Sequence, residues 1–137
     1  MSLLYLLDTN VVSHIMQGRD AELLARLAAT AVGQVAISSV TLAEIEYGLH
    51  RRAQPIRLRN ALAQVLLRVD VLPWDEDVAV HYGALCSALE AKGINLSDMD
   101  MMIAAHAVTV GATLVSHDKA FAKLPSDGSL GFKLEIW

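Results

Sequence analysis

A single cysteine, three prolines and 5% aromatic residues in a chain of 137 close off several possibilities at once. Cys86 has no partner for an intrachain disulfide, so it reads as an ordinary buried thiol of a chain working in a reducing cytoplasm. The scarcity of aromatics leaves a core built from aliphatic side chains. No apolar run is long enough to span a membrane; the longest, Met101 to Val115, is interrupted by His106, Thr109 and Gly111. Positive charge is in deficit, 11 Lys and Arg against 15 Asp and Glu, for a net charge of −4. Sequence-blind coating of nucleic acid needs the opposite balance. The deficit still allows an acidic site beside a local basic patch. Linkers, repeats and low-complexity stretches are missing too, so residues 1–137 read as one domain. What the chain does have is 54% hydrophobic residues, which on so small a surface predicts an oligomer interface.

Leu3-Leu4-Tyr5-Leu6-Leu7 is apolar at every position and is followed at once by Asp8-Thr9-Asn10. Continuous apolarity predicts a strand buried on both faces in a parallel sheet, and Asp8 ends it, so this is a strand and not a secretory leader. A short helix follows over Val11 to Met16. Asp20 is placed to cap a helix from Ala21 to about Thr30, and a strand is predicted over Gln34 to Ile37. Thr41-x-x-Glu44 matches a capping box that opens a helix to about Arg52. Pro55 fits the first turn of a helix to about Arg68, and Val69 to Leu72 a strand stopped by Pro73. A long helix from about Asp75 ends at Gly93; another, capped by Ser97, runs from Asp98 to about Val110 and ends at Gly111. Ala112 to Val115 is a second buried strand, and Phe132 to Ile136 a possible edge strand. Strands alternating with helices predict an α/β three-layer sandwich, a short parallel sheet flanked by helices.

In such a sheet the acids gather. Asp8 follows the first strand, Asp118 follows the Ala112–Val115 strand, and Glu44, Asp98 and Asp100 lie in the first turns of helices that start at the same carboxyl edge. Carboxylates crowded together repel unless a hard divalent cation neutralises them, and Mg²⁺ or Mn²⁺ takes oxygen ligands while keeping open water positions. Such an ion activates water for attack on a phosphodiester. Each acid also has a local reading: Asp8 and Asp118 as caps, Glu44 as half of the capping box, Asp98 and Asp100 as partners of a helix dipole. His14, His50, His81 and His117 show no metal-ligand spacing, and His106 in its apolar helix reads as a hydrogen-bonded core residue.

The segments Leu6-Leu7-Asp8-Thr9-Asn10, Ser39-Val40-Thr41-Leu42-Ala43-Glu44 with Gly48, Asp100-Met101-Met102-Ile103-Ala104-Ala105-His106-Ala107, Leu114-Val115-Ser116-His117-Asp118 and the closing Trp137 together resemble the PIN-domain ribonucleases, specifically VapC-type toxins. That resemblance implies an Mg²⁺- or Mn²⁺-dependent endoribonuclease with Asp8, Glu44, Asp100 and Asp118 as its metal set. Asn10 and Ser116 would orient acids or waters. It also implies a homodimer, a VapB-type antitoxin, and operator DNA bound only through the antitoxin complex. Asp98 departs from the pattern, since the family often carries a neutral or apolar residue there, and its place in the site stays open.

Arg51, Arg52, Arg57 and Arg59 concentrate positive charge beside His50 and are candidates for RNA phosphate contacts, because the guanidinium fork matches phosphate oxygens. Tyr47, Trp74 and Tyr82 offer either base-stacking faces or core and dimer packing. Two other functions fit parts of the pattern. An Asp-nucleophile phosphatase also places an aspartate after its first strand, although Asp8-Thr9-Asn10 lacks the second aspartate two residues on. A non-catalytic partner-binding module with degenerate acids would bind its partner and cleave nothing.

Overall fold

Leu6 and Leu7 are both fully buried although a strand sends neighbouring side chains to opposite faces, so the sheet they belong to is covered on both sides. The computed structural model describes residues 2–137. Among these residues the order is β1 (Tyr5–Leu7), α1 (Thr9–Gln17), α2 (Ala21–Ala29), β2 (Val35–Ser38), α3 (Ser39–His50), α4 (Ile56–Leu66), β3 (Asp70–Leu72), α5 (Glu76–Ala91), α6 (Asp98–Val110), β4 (Thr113–Val115), a 3₁₀ turn (Lys119–Lys123) and β5 (Leu134–Glu135). The strands form one sheet in the order β3-β2-β1-β4-β5, and every neighbouring pair is parallel. Parallel strands need crossovers, and the helices supply them.

The alternation along each strand sorts the core into two halves. Leu6, Ala36 and Leu114 pack with α5, α6, Phe121 and Phe132 on one face. Leu7, Val35, Ile37 and Val115 pack with α1, α2 and α4 on the other. Burying a Leu or Val of this kind contributes about 1.5–3 kcal/mol each.

The chain leaves β1 for β2 and β3, then returns through α5 and α6 to β4 on the other side of β1. That reversal opens a crevice at the carboxyl ends of β1 and β4, where α/β sheets of this kind take their ligands.

Local chemistry sets most of the boundaries. Asp20, Asp75 and Ser97 cap α2, α5 and α6 as their sequence positions predict, each side chain accepting from the main-chain N–H three residues on. Gly111 closes α6 at φ 70°, a left-handed conformation that a residue without Cβ adopts freely.

Three expectations change. The capping box does not form: α3 begins at Ser39, and Ser38 caps it by accepting from Val40 N–H at 3.1 Å. Thr41 is thereby buried in the second half-turn, and Glu44 is free to reach elsewhere. The tail strand is only Leu134–Glu135, because Phe132 drops into the core and stacks with Phe121 instead of extending the edge. Cys86 is half-buried, not buried.

Candidate active site

Asp8 ends β1 with only 2% of its surface exposed. One carboxylate oxygen accepts from Val11 N–H at 2.8 Å and so caps α1; the other accepts from the Ser116 hydroxyl. Ser116 follows β4, the strand hydrogen-bonded to β1, so sheet pairing places it beside Asp8 across 108 residues of sequence. Its hydroxyl also accepts from Asp118 N–H at 2.9 Å, and Asp118 in turn caps the 3₁₀ turn by accepting from Ala120 N–H at 2.9 Å. Asp100, in the first turn of α6, is half-buried, with its N–H on the Ser97 hydroxyl at 3.2 Å.

These three acids feel one another. Burial pushes the Asp8 carboxyl above its ordinary range, and the charges of Asp100 and Asp118 push it the same way against the hydrogen bonds from Ser116 and Val11. Asp100 is raised by burial and by Asp118. Glu44 reaches the site from the α3 side, where its carboxylate accepts from the Thr9 hydroxyl at 2.6 Å, next in sequence to Asp8. The Thr9 oxygen lies 3.3 Å from the Thr41 hydroxyl, which explains why Thr41 is held inside.

The other predicted residues separate. Asn10 is exposed. Asp98 is exposed as well and lines a different cleft with Tyr82, Cys86 and Glu90, where its charge acts on the Tyr82 hydroxyl; the charges that raise Asp8 and Asp100 come from Asp100 and Asp118. Arg52 borders a cleft of about 140 Å³ with Thr9, Ser13 and Glu44. Arg59 pairs with Glu46 at 3.0 Å, and Arg51 lies over the Tyr47 ring at 5.4 Å. Arg57 is exposed. Trp74 packs edge-on to Tyr82 and donates its ring N–H to the Met102 carbonyl at 3.0 Å, so both serve packing; Tyr47 is 66% exposed. His106 is the core histidine its position predicts: buried, sharing a 2.8 Å hydrogen bond with Ser38, its pKa pushed down by burial.

Thr9, Ser38 and His117 contribute through long-range partners. Only Thr9, adjoining Asp8 in a helix first turn, had a local hint.

Among the described residues no three of His, Cys, Asp and Glu stand close enough together to hold a metal ion as they are arranged. Each acid rests instead on a hydroxyl or amide donor. The donor set is entirely carboxylate oxygen, and burial, with mutual repulsion adding to it, raises two of its members. That chemistry fits a hard divalent cation.

Carboxylates gathered at the switch point of a parallel sheet define a class, and the family model of the PIN domain matches residues 5–126. The chain belongs to the PIN-domain family. It is 34% identical over 114 residues to Ribonuclease VapC2 of Haemophilus influenzae, covering 83% of this chain and 86% of that one. It is 29% identical over 134 residues to the tRNA(fMet)-specific endonuclease VapC of Salmonella typhimurium, covering 97% of each. Its fold overlays a crystal structure of DNA-bound VapBC from Salmonella typhimurium with a TM-score of 0.88 at 29% identity, over 98% of both chains.

Proposed function

We propose that the protein is a VapC-type endoribonuclease, the toxin of a toxin–antitoxin pair, and that it works with Mg²⁺ or Mn²⁺. The observation that carries this reading is Asp8, a buried carboxylate at the switch point whose charge is opposed by Asp100 and Asp118. Asp8, Glu44, Asp100 and Asp118 would hold the ion, which when bound supplies an activated water and positive charge at the scissile phosphate. The chain's own residues prepare that site. Ser116 fixes the rotamer of Asp8 and the main chain of Asp118 with one hydroxyl. Thr9 aims Glu44. Asp8 and Glu44 would act as ligands only, and no side chain would form a covalent intermediate. The domain spans the whole chain, and we assign it a homodimer, a VapB-type antitoxin partner and operator DNA reached through that complex. The test is purified protein with total RNA and either metal, the new 5′ ends being mapped. Cleavage at a few sites, abolished by chelation, is expected; no new ends with either ion would overturn the assignment.

The arginines are ranked by their surroundings. Arg52 borders the Glu44 cleft, whereas Arg59 is engaged by Glu46. Arg52→Gln is expected to lower the slope of log affinity against log salt for single-stranded RNA by about 0.7, one phosphate contact. Arg59→Gln should leave it nearly unchanged. Equal slopes for both variants and the parent would place the RNA on another face.

A further inference from the structure

β5 is two residues long, and a strand that short is a weak support for the neighbour it must hold. Its ladder to β4 ends with Leu114 N–H on the Lys133 carbonyl at 2.9 Å and Ser116 N–H on the Glu135 carbonyl at 3.1 Å. Beyond Ser116 the chain leaves the sheet, yet this is where Ser116 must hold Asp8 and where Asp118 must face it. A side chain continues the support: the His117 ring donates Nε2–H to the main-chain oxygen of Trp137. The same ring makes an edge-on pair with His14, with centroids 5.6 Å apart.

The far end of the bond is itself anchored. The Trp137 ring packs edge-on against Tyr5 of β1 with centroids 5.0 Å apart, and its Nε1–H donates to Glu135 at 3.1 Å. Arg26 of α2 lies over the same ring at 5.0 Å and pairs with Glu135. The oxygen that receives the His117 hydrogen bond is therefore tied to the central strand and to a helix on the sheet's face.

We propose that His117 is a positioning residue: its bond to the Trp137 oxygen latches the Ser116–Asp118 segment in the arrangement that presents Asp8 and Asp118. The latch rests on the function assigned above only for its effect on metal and RNA. Its geometric effect stands apart.

Three variants of the full chain test it. His117→Ala removes the donor. His117→Gln carries an amide N–H at a reach close to that of Nε2, and His117→Asn carries one that stops a bond short. The readouts are amide hydrogen exchange at Ser116 and Asp118, Mn²⁺ binding by the protein alone, and the split of RNA cleavage into kcat and KM. In His117→Ala, exchange at both amides should quicken by about tenfold, the equivalent of one lost hydrogen bond. Mn²⁺ affinity should weaken about 10- to 100-fold, as when a ligand's supporting partner is removed, and kcat should fall with KM unchanged. His117→Gln should restore most of each, and His117→Asn should behave like His117→Ala. If His117→Ala does not fold, the Gln and Asn pair decides. Unchanged exchange in His117→Ala and His117→Asn overturns the latch whatever the activity, and so does a folded Gln variant as impaired as Asn. A parent with protected amides that neither binds Mn²⁺ nor cleaves RNA overturns the assigned function and leaves exchange to judge the latch.

Discussion

Asp8→Asn is expected to cut RNA cleavage by about 10²–10³-fold, the scale of removing one charged contact from a transition state, with a melting temperature equal to the parent's or higher. The two effects have one cause. Asp8 is buried, and its carboxyl is raised above the ordinary 3.8 chiefly by that burial. A carboxyl raised in the fold is protonated more readily there than in the unfolded chain. Stability on its account therefore grows as pH falls through the raised value toward 3.8, and at neutral pH the ionised group is a cost. Asparagine caps a helix as well as aspartate does and can still accept from Val11 N–H, while the Ser116 hydroxyl must turn from donating to accepting from the new amide, so the fold keeps its contacts and loses the charge. Melts of both proteins from pH 7.5 to 4.5 should converge as the pH falls. A folded Asp8→Asn protein that cleaves RNA like the parent would remove Asp8 from the chemistry.

Asp100 and Asp98 are expected to part in a thermal melt run with and without Mg²⁺ or Mn²⁺. Asp100 is half-buried and raised by burial and by Asp118, so Asp100→Asn relieves repulsion and should melt at the parent's temperature or above it without metal. It should also lose most of the stabilisation that metal gives the parent, since that gain follows affinity for the folded state. Asp98 faces the Tyr82 cleft and solvent. Asp98→Asn should cost about 0.3–1 kcal/mol of helix-dipole interaction and keep the parent's metal response. A reversed pattern would move the ligand to Asp98; identical responses would place both acids in the site or neither.

Features encoded within a few residues were legible before the fold was known. Asp8, Asp20, Asp75 and Ser97 act on the next turn of chain, and Gly111 ends a helix by its own conformation, so each could be read where it stands. Continuous apolarity marked β1 as central, and Ala112 to Val115 read as a second buried strand, for the same reason. The start of α3 could not be read that way. Ser38, Ser39 and Thr41 all suit a cap, and the choice fell to Ser38 because β2 pairs with β3 as far as Ser38–Leu72. The reach of Glu44 to Thr9 and of His117 to Trp137 depends on partners in other elements, which no local pattern records. β5 is shorter than the Phe132–Ile136 strand the sequence predicts because Phe132 is worth more in the core than at an edge.

The separation between Asp8 and Ser116, 108 residues, also orders events in time. A growing chain carries Asp8 well before Ser116 and Asp118, which follow only after another hundred or so residues have been added. Until β4 slots against β1, the crevice at the switch point has one wall. Contacts this distant in sequence form late, since the loop they close is most of the chain. An unfinished polypeptide, or one broken off before β4, holds Asp8, Glu44 and Asp100 but neither Ser116 nor Asp118. The centre is therefore assembled by the closing of the sheet and not by any one segment of the chain.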